Sequence, residues 1–253
     1  MLVRALLVVV AVIGIIAFNG LSNALPLGGN TIGELASRFD TYFTPAPYVF
    51  AIWGAIYLGL IAFAIVQVLP RHRDDAGIDA IRAPFLVSCL ANVSWLTLWH
   101  YELFTWSVLA MLMLLGSLLV IYARLRERPR LAQGVYRWTV SMVFSVYLGW
   151  VTVATLANIS AVLDYLGWDG SPLTPTVWAG LLCGVALLVG AFMLFRHADA
   201  LFNVVLAWAF VGLAVKYEPM FWPVPAEAAA GGAVLLAVLA LAVQRRRVAQ
   251  PAL

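Results

Sequence analysis

Apolar residues fill this chain in long runs, separated by short stretches of charge, glycine and proline. A hydrocarbon core of about 30 Å takes roughly 20 apolar residues per helix. Windows of that size lie near residues 4–24, 48–69, 83–99, 104–123, 138–161, 177–195, 200–216 and 228–244. The pattern predicts an all-α integral membrane protein with about eight transmembrane helices. The last two windows are short and lean on charge placement for support. Composition points the same way: 64% of the 253 residues are hydrophobic and 11% are charged, with a mean hydropathy of +0.97. A soluble domain of this size has too little interior to hide that much apolar surface.

Charge orients the spans. With a cytoplasmic N-terminus and eight crossings, one side holds Arg4, Arg71, Arg73, Arg82, Arg124, Arg126, Arg128, Arg130, Arg137, Arg196 and Arg245 to Arg247, and the other keeps only Arg38 and Lys216. Thirteen against two is a strong positive-inside bias. Both termini are then cytoplasmic, and the expected location is the bacterial inner (plasma) membrane. The net charge of +3 reflects this orientation and implies no nucleic-acid partner. Membrane lipid is the implied neighbour, and a homo-oligomer stays open. The first segment, with Arg4 ahead of an apolar run that ends in "SNALP" (Ser22 to Pro26), also has the form of a secretory signal. A retained first helix is the reading adopted, because Asn19 and Gly20 suit a helix end equally well.

The connections differ in kind. The first loop, residues 21–47, is long, and long loops are commonly functional lids or disordered. Within it, Ile32, Leu35 and Phe39 share one side, which predicts a short amphipathic helix lying on the membrane. The third and fourth spans are joined by only "HYEL" and must form an antiparallel hairpin. The acidic, turn-rich "DYLGWDGSPLTP" reads as a seam between a domain at 1–162 and three further helices at 163–253. Cys89 and Cys183 fall inside spans and read as packing residues. His72, His100 and His197 sit at span ends, where a solvated imidazole is expected, and no zinc-type spacing exists.

Three stripes carry the candidate chemistry. Phe50, Trp53 and Tyr57 share a face of the second span, Asn92, Trp95 and Trp99 a face of the third, and Tyr147, Trp150, Ala154 and Asn158 a face of the fifth. Trp99 is near a span end, but Trp150 and Asn92 lie well inside, where an interfacial role does not apply. An amide in hydrocarbon needs a partner. Asn92 therefore either bonds a neighbouring helix or faces a cavity, and the stripes describe either a tightly packed core or a pocket for a planar ligand.

These residues resemble the tryptophan-rich sensory protein (TspO), or translocator protein, family. "PAPYVF" with Trp53 and Tyr57 is similar to the family's Pro-Pro-x-Trp-x-Phe element and the Trp and Tyr that follow. "LANVSWLTLW" (Leu90 to Trp99) resembles its Asn-x-x-Trp element, and "YLGWVTVATLAN" (Tyr147 to Asn158) its fifth-helix signature. Tyr48 stands where a Trp is common, Phe43 where the loop often has another, and Ala46 interrupts the double proline. The Phe50-to-Trp53 gap is also one residue shorter than usual. The motifs cover roughly residues 1–162, so the chain reads as a longer variant with extra C-terminal helices.

The resemblance implies an N-terminal five-helix TspO-like bundle with a hydrophobic pocket under the first loop. It implies a membrane receptor or sensor for a flat hydrophobic small molecule, a porphyrin or other tetrapyrrole. The implied lining is Phe50, Trp53, Tyr57, Asn92, Trp95, Trp99, Tyr147, Trp150, Ala154 and Asn158. No cofactor is required; a porphyrin or haem-type molecule would be ligand. Some family members degrade protoporphyrin in light using two pocket tryptophans, which match Trp53 and Trp150 by motif position. A transporter of lipophilic compounds and a light-dependent porphyrin-degrading enzyme are therefore the competing classes. No nucleophile, acid–base pair or metal cluster supports ordinary catalysis. Lys216, the only lysine, raises the thought of a Schiff-base pigment, but no embedded carboxylate serves as counter-ion and interfacial snorkelling suffices.

Overall fold

The computed structural model describes residues 1–25, 27–30, 32–39, 41, 43–217 and 223–249. Every regular element among them is helical. The helices are α1 (Leu2–Ala24), α2 (Ile32–Ser37), α3 (Ile52–Val68), α4 (Ala76–His100), α5 (Phe104–Arg126), α6 (Gly134–Tyr136), α7 (Met142–Tyr165), α8 (Pro175–His197), α9 (Ala200–Tyr217) and α10 (Pro223–Ala249). Seven segments among the described residues are long and apolar enough to cross a membrane. The eighth predicted span falls in α10, whose described apolar stretch is Ala229–Val243. Only helices satisfy every backbone amide internally in lipid, so apolar runs of this length fold this way. Asp40 and residues 218–222 lie outside the described residues.

The chain forms two compact units, one of Met1–Phe39 with Ala51–Val151 and one of Asp40–Phe50 with Thr152–Leu253. In the first unit α4 is central and packs against α5, α1 and α2, while α3 packs on α1. A core triad of Phe63, Phe85 and Phe144 meets edge to face at centroid distances of 5.2 to 5.8 Å, the arrangement aromatic quadrupoles favour. Gly59 makes the α3–α7 contact close: a Cβ there would lie 2.8 Å from Val143 Cγ2.

Two expectations change here. The third span was expected to begin at residue 83, after Arg82. It begins at Ala76, where the Asp75 carboxylate caps it by accepting from the Gly77 and Ile78 amides at 2.8 and 3.3 Å. Arg82 is thus inside the helix and fully buried. Its guanidinium donates to the Gln67 side chain (2.9 Å), to the carbonyls of Gln67 (2.9 Å) and Arg73 (2.8 Å), and to Asp79 (3.0 Å). A topology count treats each arginine as solvated; this one is an internal knot. Likewise the apolar side of α2 is not left for lipid at Leu35: α2 packs on α4, and Leu35 is wholly buried. Arg38 reaches Glu102 at 2.8 Å, and Phe39 packs on Trp99 and Phe104 with centroids 5.6 and 5.0 Å away.

In the second unit α8, α9 and α10 pack on one another. Of the three glycines in "AGLLCGVALLVGA", Gly190 is the one at a close contact: a Cβ there would meet Leu206 at 2.7 Å and Asn203 at 2.9 Å. The C-terminal part of the first loop, residues 43–50, forms a strap along α9. The Ala46 amide donates to the Gly212 carbonyl (3.1 Å), Trp208 Nε1 to the Val49 carbonyl (3.0 Å), and the Tyr217 hydroxyl to the Thr41 carbonyl (2.6 Å). Phe43 stands edge-on to Phe210 and Tyr48 to Trp208. Lys216 is exposed, its ammonium 5.2 Å from the Tyr217 ring centroid.

Candidate ligand-binding site

Trp53 is the second residue of α3, and its half-buried indole anchors the main aromatic group. It stacks on Tyr57 one turn later, with centroids 5.6 Å apart and planes 26° apart. Its ring also meets two side chains of α7 nearly edge to face, Tyr147 at 5.9 Å and Trp150 at 6.3 Å. Tyr147 and Trp150 are 1% and 2% exposed, so both belong to the interior of the first unit. The three-and-four spacing within each helix creates this group, because it puts the rings on one face.

Asn92 joins the group through its amide. It is 1% exposed. Its Oδ1 accepts from Asn19 Nδ2 at 3.0 Å and its Nδ2 donates to the Tyr147 hydroxyl at 3.5 Å. Asn19 also donates to the Ile15 carbonyl at 2.8 Å. An amide clasp thus ties α1 to α4 and steadies the wall behind Trp53. Sequence reading placed Asn19 only at a helix end and missed it, although a buried amide in an apolar helix is the same signal that singled out Asn92. Asn92→Ala should cost about 1–3 kcal/mol by stranding partners in the interior. Combined with Asn19→Ala, the loss should be less than the sum of the two, measured as a double-mutant cycle of detergent-solubilised protein. Simple additivity would mean the clasp carries no coupling.

Trp95 and Trp99 form a second group rather than part of the first. Their rings are 5.8 Å apart, and Trp99 is enclosed by Phe39 and Phe104, the latter at 5.0 Å. Trp99 is 5% exposed, and its Nε1 has no hydrogen-bond partner among the described residues. Next to it, His100 differs from the solvated imidazole expected at a span end: it is 1% exposed, with Nδ1 2.9 Å from the Leu96 carbonyl. Folding of the first loop over the end of α4 is the reason. Phe50, Ala154 and Asn158 belong to the second compact unit, where Phe50 and Ala154 are half-buried and Asn158 is 3% exposed. Cys89 and Cys183 are buried free thiols.

Fold and side chains together define a polytopic all-α membrane protein with clustered aromatic rings on its helices. A family model described as TSPO-like protein matches residues 5–242, and the chain belongs to that family. The match runs into the three C-terminal helices. No curated protein and no solved structure matches the chain.

Proposed function

We propose that the protein is a membrane receptor or sensor that binds a flat hydrophobic ligand of the tetrapyrrole class against the Trp53 aromatic group. The observation that carries this reading is the arrangement of Trp53, Tyr57, Tyr147 and Trp150. Four aromatic rings from two helices converge there, and the foremost of them is only half-buried. Broad π faces and an apolar surround suit a planar macrocycle, whose own burial supplies most of the binding free energy. In this reading residues 1–162 make the binding bundle, residues 163–253 add three helices, and Asn92 positions Tyr147. Trp95 and Trp99, which belong to the same unit, are proposed as further lining. The arginine distribution supports cytoplasmic termini in a bacterial inner membrane.

Titration with protoporphyrin tests the reading. The wild-type protein should shift the porphyrin's main absorption band saturably and quench tryptophan emission. The double substitution Trp53→Phe and Trp150→Phe should weaken the absorbance-detected affinity about tenfold or more, the loss of roughly 1.4 kcal/mol of stacking. Affinity unchanged by that pair and by Asn92→Ala moves the ligand elsewhere. Illumination of the complex then separates reception from photo-oxidation, because bleaching that depends on Trp150 belongs to the latter.

A further inference from the structure

The second compact unit holds a cavity of about 180 Å³ between the end of α7 and the start of α8. Its lining includes Asp164 and Asp169, Trp168 and Trp178, and the hydroxyl residues Ser160 and Thr41. Among the described residues, none of those assigned above to the aromatic site lines it, and neither does any arginine, lysine or histidine. Trp168 and Trp178 meet edge to face, with centroids 5.0 Å apart and planes at 86°. That pairing leaves ring faces outside the contact, and an indole face is electron-rich.

The connecting loop is held in place by its own contacts. Asp169 Oδ1 accepts from the Ser171 amide at 2.8 Å, and Trp168 Nε1 donates to the Ser171 carbonyl at 3.3 Å. Gly170 has a φ of 85°, and a Cβ there would lie 2.6 Å from the Leu173 carbonyl oxygen. The turn therefore requires glycine, and it sets both a carboxylate and an indole at the cavity.

We infer that this cavity binds a small quaternary ammonium compound of about choline's size. Two carboxylates with no basic side chain among the lining residues make the cavity attractive to a cation. Indole faces favour a cation that is weakly hydrated, since a methylated nitrogen surrenders little water on contact with a ring. A primary ammonium would need several acceptors to replace its hydration. The volume lies below the roughly 300–1,000 Å³ of pockets for drug-sized ligands and suits a compact head. The same chemistry is offered by free choline and by the headgroup of a choline lipid.

The test uses full-length protein in a maltoside detergent and ligand-observed NMR, with choline and its uncharged dimethylbutanol isostere as probes. Choline should bind saturably in the millimolar range, about tenfold more tightly than the isostere. Asp164→Asn with Asp169→Asn should abolish that preference, at an unchanged thermal midpoint. Trp168→Leu, which keeps both carboxylates, is the second variant and should weaken choline by a similar factor. A short-chain phosphatidylcholine that displaces choline at lower concentration than choline itself identifies a lipid headgroup as the source; the reverse identifies the free compound. Equal binding of choline and isostere, choline binding that survives both variants, or no saturable choline signal overturns the assignment. Protoporphyrin binding is read separately in the same variants, so failure here leaves the aromatic site untouched.

Discussion

Arg82→Ala is expected to destabilise the protein by about 3–5 kcal/mol, measured as the unfolding free energy in mixed micelles. Arg82 has no exposed surface and reaches four acceptors on three segments of chain. Its removal strands two main-chain carbonyls, the Gln67 amide oxygen and the Asp79 carboxylate. The Asp79 carboxylate keeps one partner, an ion pair to the exposed Arg4 at 3.1 Å, which water weakens. Arg82→Lys should recover part of the loss, because an ammonium restores the charge but not the planar fork that bridges acceptors in different directions. A loss under about 1 kcal/mol for the alanine variant would show that water enters and replaces the guanidinium.

Gly212→Ala is the second large effect, about 1–3 kcal/mol, because the added methyl cannot coexist with the strap as it stands. A Cβ on Gly212 would lie 2.1 Å from Val49 Cγ2, whereas the next neighbours, Val49 Cβ and Pro45 Cβ, are 3.4 and 3.5 Å away. The clash is therefore confined to one methyl of a side chain with little rotamer freedom. Val49→Ala in the same protein should restore most of the stability, and limited proteolysis should find the strap cut faster in Gly212→Ala than in the double variant. No rescue by Val49→Ala would place the conflict in the backbone.

The all-α class and the positions of most spans were legible because hydrocarbon leaves the chain few alternatives: a long apolar run without charges must be helical. The same rule hid the start of α4. Asp75, Asp79 and Arg82 look like loop residues in a hydropathy window, yet Asp75 caps the helix and Asp79 pairs with Arg82 inside it. Local spacing also predicted that Trp53 would meet Tyr57, and that Tyr147 and Trp150 would share a face. It could not say that Trp95 and Trp99 turn to Phe39 and Phe104 instead, since that depends on where a loop lands. The Asn19–Asn92 clasp is likewise a pairing across 73 positions, which no single-helix pattern encodes. Trp168 was read only as part of a turn-rich seam and Trp178 only as part of the sixth span, and their cavity appears once the loop is closed by Gly170.

The strap over α9 is held mainly through main-chain carbonyls, at Thr41, Val49 and Gly212. Carbonyls are identical whatever side chain a residue bears, so drift at Tyr48, which is 43% exposed, can recolour the outer surface while the anchorage persists. A change of side chain at that position thus alters what the segment presents without rebuilding how it is moored.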